Sequence, residues 1–341
     1  MTSLSTTVKI SPATQRLMDL WRTYTVGGST PLPVFISETN GSYLWDVDGK
    51  RYIDFICMAG AVNQGHGNPK ILEAVTQQLV KAALVNHCTN NAIWPTFAQM
   101  MCQRFGYDRI ASAVSGTDGV DVACKIAQKW AITKKGVRPE KLLVLGVSDC
   151  FHADEVRMGV CRTGKFLSSD YLGEHRKSAL VVLGTKDVMS VVGPREIVQT
   201  YAFSPIAIAA TTAVLQIADE ENLEAKAARL GSLFTERAQE EGWNKLPFVN
   251  YVTARGAEFG IWFYSDSLDA ARAVGLLCMQ NGLLLFPKDL HLRMSAPPIM
   301  PEAIFQSALK ILGDALAQVA SAQKYKTSKS MTRIYEIRSA L

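Results

Sequence analysis

Lys141-Leu-Leu-Val-Leu-Gly146 is a short, unbroken apolar run closed by a glycine, the pattern of a strand buried on both faces of a parallel sheet. Such a strand constrains its surroundings, because parallel neighbours are joined by a crossover of a dozen or more residues, usually a helix. Upstream the chain supplies one: after Ser115-Gly-Thr117 the spacing predicts a helix through Val120 to about Lys134. Downstream only a few residues separate Gly146 from the polar motif Asp154-Glu-Val-Arg157.

The rest of the pattern is that of an α/β chain. Residues 12–24 predict an amphipathic helix, and residues 69–83 a second, with Asn68 as cap and Pro69 in the first turn. Phe35-Ile36 and Tyr43-Leu-Trp45, joined by Asn40-Gly41, predict a hairpin, with Tyr52–Ile56 as a third strand after Asp48-Gly49. Residues 205–237 predict a long helical run. From Phe248 to about Ala320 strands and helices alternate, and the tail after Lys324 is basic and polar.

A length of 341 residues allows one large domain and a smaller one, and an apolar share of 48% with a charged share of 20% is ordinary for a globular protein. The net charge of +5 is scattered rather than massed, so nucleic acid is not expected as a partner. No apolar run approaches a membrane span. The cysteines (57, 88, 102, 124, 150, 161 and 278) form no CxxC pair, which points to reduced thiols and a cytoplasmic setting. The N-terminus carries a faint echo of a transit peptide but no apolar signal core. The five histidines, His66, His87, His152, His175 and His291, have no metal-ligand spacing, so no metal is expected. His66, in Gln-Gly-His-Gly, is expected to pack or turn rather than catalyse.

Several segments together resemble a known family. Pro31-Leu-Pro-Val34, Trp45-Asp-Val-Asp-Gly49, Ala61-Val-Asn-Gln-Gly-His66, Val114-Ser-Gly-Thr117 with Ala123-Cys-Lys-Ile-Ala-Gln-Lys-Trp130, Asp154 through Lys165, and Leu292-Arg-Met-Ser-Ala-Pro-Pro298 are similar to the class III aminotransferases that use pyridoxal phosphate (PLP), above all the ornithine aminotransferases. The resemblance implies PLP fold-type I. That fold has a large domain with a mainly parallel sheet flanked by helices, incomplete here, and a smaller α/β domain built from both chain ends. The corresponding boundaries are 1–60 for the N-terminal part of the small domain, 61–240 for the truncated large domain, 241–325 for the C-terminal part of the small domain, and 326–341 for a loose tail.

Residue roles carry over one at a time. Ser115, Gly116 and Thr117 match the phosphate-binding turn, where helix N–H groups and dipole favour an anion. Phe151 matches the aromatic that stacks on the cofactor ring. Asp154 matches the acid that keeps the pyridinium nitrogen protonated. Thr200 matches a residue that reaches a phosphate from the neighbouring subunit, so the resemblance implies a dimer. Arg293 matches the guanidinium that forks a substrate carboxylate.

The departures matter as much. In the family a strand ends in the lysine that binds the cofactor covalently, yet here Leu180-Val-Val-Leu-Gly184 runs straight into Thr185-Lys-Asp-Val-Met189. Lys186 belongs to a segment that follows the lysine loop in relatives, which makes it a poor substitute. Internal deletions, near His152–Ala153 and near Gly184–Thr185, are inferred, and the second carboxylate-binding arginine falls in the first. Two tyrosines of the ornithine pocket align with Ser29 and Ala59, so the donor need not be ornithine. The expected activity is transamination of an amine or amino acid (ornithine-like or another ω-amine) with a 2-oxo acid, impaired or absent in this chain. The alternative is a non-catalytic partner, or a truncated gene product, that forms a homodimer or pairs with an intact relative.

Overall fold

A computed structural model describes residues 9–26, 32–86, 88–143, 180–197, 199–265 and 267–326. Helix α1 (Pro12–Tyr24) opens where Ser11 accepts the Thr14 N–H at 3.0 Å and Pro12 occupies the first turn, a proline position that costs the helix nothing. The hairpin follows as β1 (Ile36–Asn40) and β2 (Tyr43–Asp46), and β2 continues antiparallel to β3 (Arg51–Asp54). Then come α2 (Pro69–Lys81), α3 (Trp94–Phe105), β4 (Arg109–Ala113) and α4 (Gly116–Lys135). Helices α3 and α4 both end on left-handed glycines, Gly106 at φ 70° and Gly136 at φ 65°.

The strand expected from Lys141 is not formed at its start. Pro139–Lys141 is a 3-10 turn that carries Leu142 and Leu143 onward outside any strand, and Leu143 is exposed. Residues 144–146 lie outside the described set. Strand β5 (Leu180–Gly184) and a short helix α5 (Lys186–Met189) come next. The helical run expected over 205–237 is two helices, α6 (Pro205–Glu220) and α7 (Leu223–Glu240). Asn222 breaks it by adopting a left-handed conformation (φ 47°) and turning its side chain to cap Ala225, a competition that short polar side chains win over helix continuation.

The C-terminal part consists of β6 (Val249–Arg255), β7 (Glu258–Phe263), α8 (Leu268–Gln280), β8 (Leu283–Leu284), β9 (Phe286–Lys288), β10 (His291–Ser295) and α9 (Glu302–Lys326). Contacts divide the chain into two units. One joins the chain up to Asn68 with the chain from Ile217 onward, and the other is Pro69–Gln216.

The first unit holds two four-stranded sheets, β1-β2-β3-β8 and β6-β7-β10-β9. The second of these is antiparallel throughout, and its inner face is apolar: Phe259 and Ile261 on β7 and Leu292 and Met294 on β10 are all buried. Against it pack Phe234 of α7 and Phe305 of α9, with Phe234 stacked on Phe259 at 4.5 Å and Phe305 meeting Phe55 at 5.4 Å. Burying these rings is the main stabilising contribution of the unit.

In the second unit the described residues contain one sheet, β4 with β5, and the pairing is antiparallel. The mainly parallel sheet expected for the large domain is thus represented by two strands of opposite direction. An antiparallel strand at the edge of an otherwise parallel sheet is common in α/β folds. Apolar residues of α4 (Val122, Ile126) and Met189 of α5 cover one face, and Phe97 and Met101 of α3 with Ile208 of α6 form a cluster with residues of the other.

Phe305 is fully buried against two aromatic rings, Phe55 and Phe259, so Phe305→Ala is expected to remove about 3–5 kcal/mol of stability. Urea unfolding of both proteins at one pH measures it. A loss below about 1 kcal/mol would mean that this aromatic core collapses around the gap.

Candidate functional site

In the second unit, β4 delivers the chain to α4 through Val114 and Ser115. Ser115 Oγ accepts the Asp118 N–H at 3.1 Å, and Asp118 Oδ2 in return accepts the Val114 N–H at 2.8 Å. This reciprocal cap leaves the N–H groups of Gly116 and Thr117 at the mouth of the helix with no acceptor among the described residues. A Cβ built on Gly116 would meet nothing within 4 Å, so the space above these donors is open. Two free N–H groups at the positive end of a long helix suit a phosphate. The Asp118 carboxylate sits close by, but both its oxygens are engaged, the second by Gln199 Nε2. Asp118 and Gln199 escaped the sequence reading, although Ser-x-x-Asp at a helix start is a capping signal.

Gln199 also locates Thr200, which is exposed in the turn that follows it. Thr200 therefore lies one residue from a side chain that touches the Ser115–Asp118 cap of the same chain. Phe151 and Asp154 lie outside the described residues, as do Ser29, His87, His152 and His175.

Lys186 is not brought to the Ser115–Thr117 turn. In the β4–β5 register Ala113 faces Leu180 and Arg109 faces Gly184. The phosphate turn follows Ala113, whereas Lys186 follows Gly184, at the opposite end of the ladder. The two ends are separated by roughly 14 Å at about 3.4 Å per residue, farther than a lysine side chain extends. Lys186 is exposed, and its N–H is fixed by Asp108 Oδ2 at 2.7 Å. The junction between Gly184 and Thr185 is a formed turn in which a Cβ on Gly184 would lie 2.7 Å from Met189 Cγ. On the same helix as the phosphate turn, Lys125 and Lys129 are paired with Asp121 and Glu196.

In the first unit, Arg293 stands on the outer face of the β6-β7-β10 sheet, because its neighbours Leu292 and Met294 point into the core. Cross-strand pairing sets three rows on that face. Arg293 shares its row with Gly260 and Thr253. The row to one side is Tyr251, Trp262 and His291, and the row to the other is Arg255, Glu258 and Ser295. No hydrogen bond or ion pair holds the Arg293 guanidinium among the described residues. Burial first, then Lys288, lower the His291 pKa below its ordinary value, with Asp289 opposing and Arg293 adding to the shift, so the neutral imidazole is favoured at pH 7.

The last row abuts a strained turn. Cys57, Met58 and Ala59 all have positive φ (47°, 45° and 57°), with Gly60 at 83°. Left-handed conformations at non-glycine residues cost roughly 1–2 kcal/mol each, and they persist where surroundings dictate them. Here Asp54 dictates them: fully buried, it accepts the N–H groups of Ile56 (2.8 Å) and Cys57 (2.9 Å) and pairs with His66 Nε2 at 2.9 Å. His66 also bridges Gly41 through its backbone, the turn-and-packing role its sequence context implied. Glu258 Oε1 lies 3.3 Å from the Cβ position of Gly60, and Ser295 Oγ donates to Glu258 Oε2 at 2.6 Å. Ala59 is thereby exposed on a turn locked beside the Arg293 face.

The family model for class III aminotransferases matches residues 24–153 and 177–316. The chain belongs to the class III aminotransferases. Members of this family use pyridoxal phosphate and transfer amino groups. The chain is 26% identical to the mitochondrial ornithine aminotransferase of Arabidopsis thaliana over a stretch of 387 residues, covering 84% of this chain and 82% of the relative. It is 24% identical to the ornithine aminotransferase of Emericella nidulans over 428 residues, covering 93% of each. Both stretches exceed the 341 residues of this chain, so the relatives hold internal positions with no counterpart here. The segment from Asp154 to Lys165 falls in the interval that the family model leaves unmatched.

Among solved structures, the ornithine aminotransferase of Toxoplasma gondii superposes with a TM-score of 0.78 at 19% identity, covering 91% of this chain and 96% of that one. The acetylornithine aminotransferase of Elizabethkingia anophelis gives 0.75 at 21%, covering 89% and 99%. The fold is fold-type I, with an incomplete large domain.

Burial, then the Asp54 and Glu258 carboxylates, push the Cys57 thiol up to about 12. A raised folded-state pKa contributes stability below the unfolded value near 9 and loses it as pH climbs through the folded value. The urea midpoint is therefore expected to fall between about pH 9 and pH 12, and to fall less steeply in Cys57→Ala. Equal slopes in the two proteins would mean that the thiol ionises without cost.

Proposed function

We propose that this chain is an aminotransferase by descent that keeps the family's anion-holding groups but lacks its covalent lysine. Transamination of an ornithine-like or other ω-amine with a 2-oxo acid is then impaired or absent. The observation that carries this reading is the β4–β5 register, which sets Lys186 at the far end of the sheet from the phosphate turn. The length of the aligned relatives supports it, since the missing positions must be internal.

In this reading the N–H groups of Gly116 and Thr117, with the Ser115 hydroxyl, hold the cofactor phosphate. Thr200 adds a contact across a dimer, Phe151 lies against the ring, and Asp154 keeps the proton on the ring nitrogen. Pyridoxal phosphate, when bound, supplies an electron sink for charge developing at the substrate Cα. Arg293 fixes the substrate carboxylate by a two-pronged hydrogen bond. What the described residues do not provide is a lysine amine at the Cα side to move the proton, the general-base role on which turnover depends. The reduced-thiol composition supports a cytoplasmic setting for this protein.

The test is incubation with PLP, borohydride reduction and peptide mass spectrometry. No site-specific lysine adduct is expected, and Lys186→Ala should leave the spectrum unchanged. A stoichiometric adduct on Lys186, with transaminase turnover, would overturn the reading. Non-covalent PLP binding, followed by tryptophan fluorescence, is expected to weaken about tenfold or more in Asp154→Ala, in line with a charge-assisted hydrogen bond of about 1.5–3 kcal/mol. An unaltered affinity would remove Asp154 from the site. If the wild-type chain binds no PLP but copurifies with an intact relative, the non-catalytic dimer partner is the correct description.

A further inference from the structure

Gly260 occupies the centre of the three rows on the outer sheet face, and it is the one position there with no side chain. A Cβ on Gly260 would lie 2.9 Å from Thr253 Oγ1 and 3.3 Å from Trp262 Nε1. Those two polar atoms therefore face the same gap, and Arg293 borders it from the next strand, opposite Gly260 in register. The gap belongs to an open depression of about 300 Å³ on the sheet face.

None of the three groups is otherwise engaged. Among the described residues the Trp262 indole N–H has no acceptor, the Thr253 hydroxyl has no partner, and the Arg293 guanidinium has neither hydrogen bond nor ion pair. An indole N–H and a guanidinium can only donate, and a hydroxyl can donate as well. Donors converging on one gap call for an acceptor with several lone pairs. The indole is also held in place: Tyr251 stacks on one of its faces at 5.4 Å and 20°, and His291 on the other at 4.3 Å and 18°. With both faces covered, its edge and its N–H are what it presents to the gap. A donor fixed in this way loses little rotational freedom on binding.

The charges around the gap give it direction. Glu258 lies two residues from Gly260 along β7 on the same face, with one oxygen bonded to Ser295. Its negative charge disfavours an anion at that end, and Arg255 stands opposite it in register. At the other end the stack carries no net charge, because His291 is neutral. Arg255 offsets the Glu258 charge in that row, so the anionic head is placed by the Arg293 guanidinium and the Trp262 N–H beside Gly260, with the remainder of the ligand toward Glu258.

We propose that the gap over Gly260 is a carboxylate site in which Trp262 donates its indole N–H, and Thr253 its hydroxyl, to the anion that Arg293 forks. Trp262 is then a specificity-determining residue for small amino and 2-oxo acids. This rests on the assignment of Arg293 to the substrate carboxylate, and adds to it a second, directional donor that a lone arginine lacks. Gly260 is required because any side chain there fills the site.

The experiment uses the full chain labelled with ¹⁵N at its tryptophan indoles, the Trp262 resonance being the one that Trp262→Phe removes. Pyruvate is expected to move that resonance downfield and saturably, while pyruvamide, of the same shape without the charge, does not. Gly260→Ala and Thr253→Val should each reduce the shift, with the second checking the site even if the first perturbs the sheet. Trp262→Phe, which keeps an aromatic in the stack, should weaken pyruvate binding roughly tenfold by calorimetry. Pyruvate binding that depends on Arg293 but leaves the Trp262 resonance still, with Trp262→Phe neutral, overturns this proposal and spares the role of Arg293. No binding of pyruvate at all overturns both. Inorganic phosphate moving the resonance as strongly as pyruvate would mark an anion site of general kind and overturn the carboxylate assignment.

Discussion

The buried carboxylate of Asp54 is the interaction on which the first unit is organised. A fully buried acid is tolerable only when its oxygens are satisfied. Here two backbone N–H groups and the His66 ring do so. In satisfying itself the carboxylate bends the backbone after β3 into consecutive left-handed residues, a conformation that the side chains of Cys57, Met58 and Ala59 would not choose. The strain is repaid in position. The turn is pressed against Glu258, Ser295 bonds both the turn's preceding residue (its N–H to Phe55 O at 3.0 Å) and Glu258, and the outer face bearing Arg293 acquires a fixed border.

The second unit turns on strand direction. A strand that ran parallel to β4 would deliver its C-terminal residues to the same end as Ser115, where an anchoring lysine is needed. Strand β5 runs the other way and delivers Lys186 to the opposite end. The loss of function proposed here is therefore a matter of topology. The chain contains lysines enough, yet the one next to the matching motif is carried away from the phosphate turn by the pairing. The turn at Ser115–Thr117 is itself unaffected, because the Ser115–Asp118 cap and the helix behind it are local.

The outer sheet face shows how a site can be built from what is absent. Gly260 contributes no atom to binding, but its missing side chain lets Thr253 and Trp262 face one another across the gap. The stack of Tyr251, Trp262 and His291 turns a flexible aromatic into a fixed donor.

Local features were determined by the sequence alone. The spacing over residues 12–24 and after Ser115-Gly-Thr117 marked two helices, Asn40-Gly41 marked the hairpin, and the family motifs singled out Gly116, Thr117 and Arg293 as candidates, because helix periodicity, tight turns and short motifs depend on neighbours along the chain. The tertiary structure decided the rest. Asn222 splits a continuous helical pattern through a choice of backbone region that hydrophobic spacing does not register. The run at Lys141 carries the composition of a strand, but strand formation needs a partner, and Leu142–Leu143 have none among the described residues. The direction of β5 is invisible in Leu-Val-Val-Leu-Gly, since parallel and antiparallel pairing read the same apolar residues. Thr253, Gly260, Trp262 and Arg293 are separated along the chain by up to forty positions, and only sheet register makes them neighbours. Register is a property of paired strands, set by the packing of Phe259, Ile261, Leu292 and Met294 on the far face, which a single strand read alone does not contain.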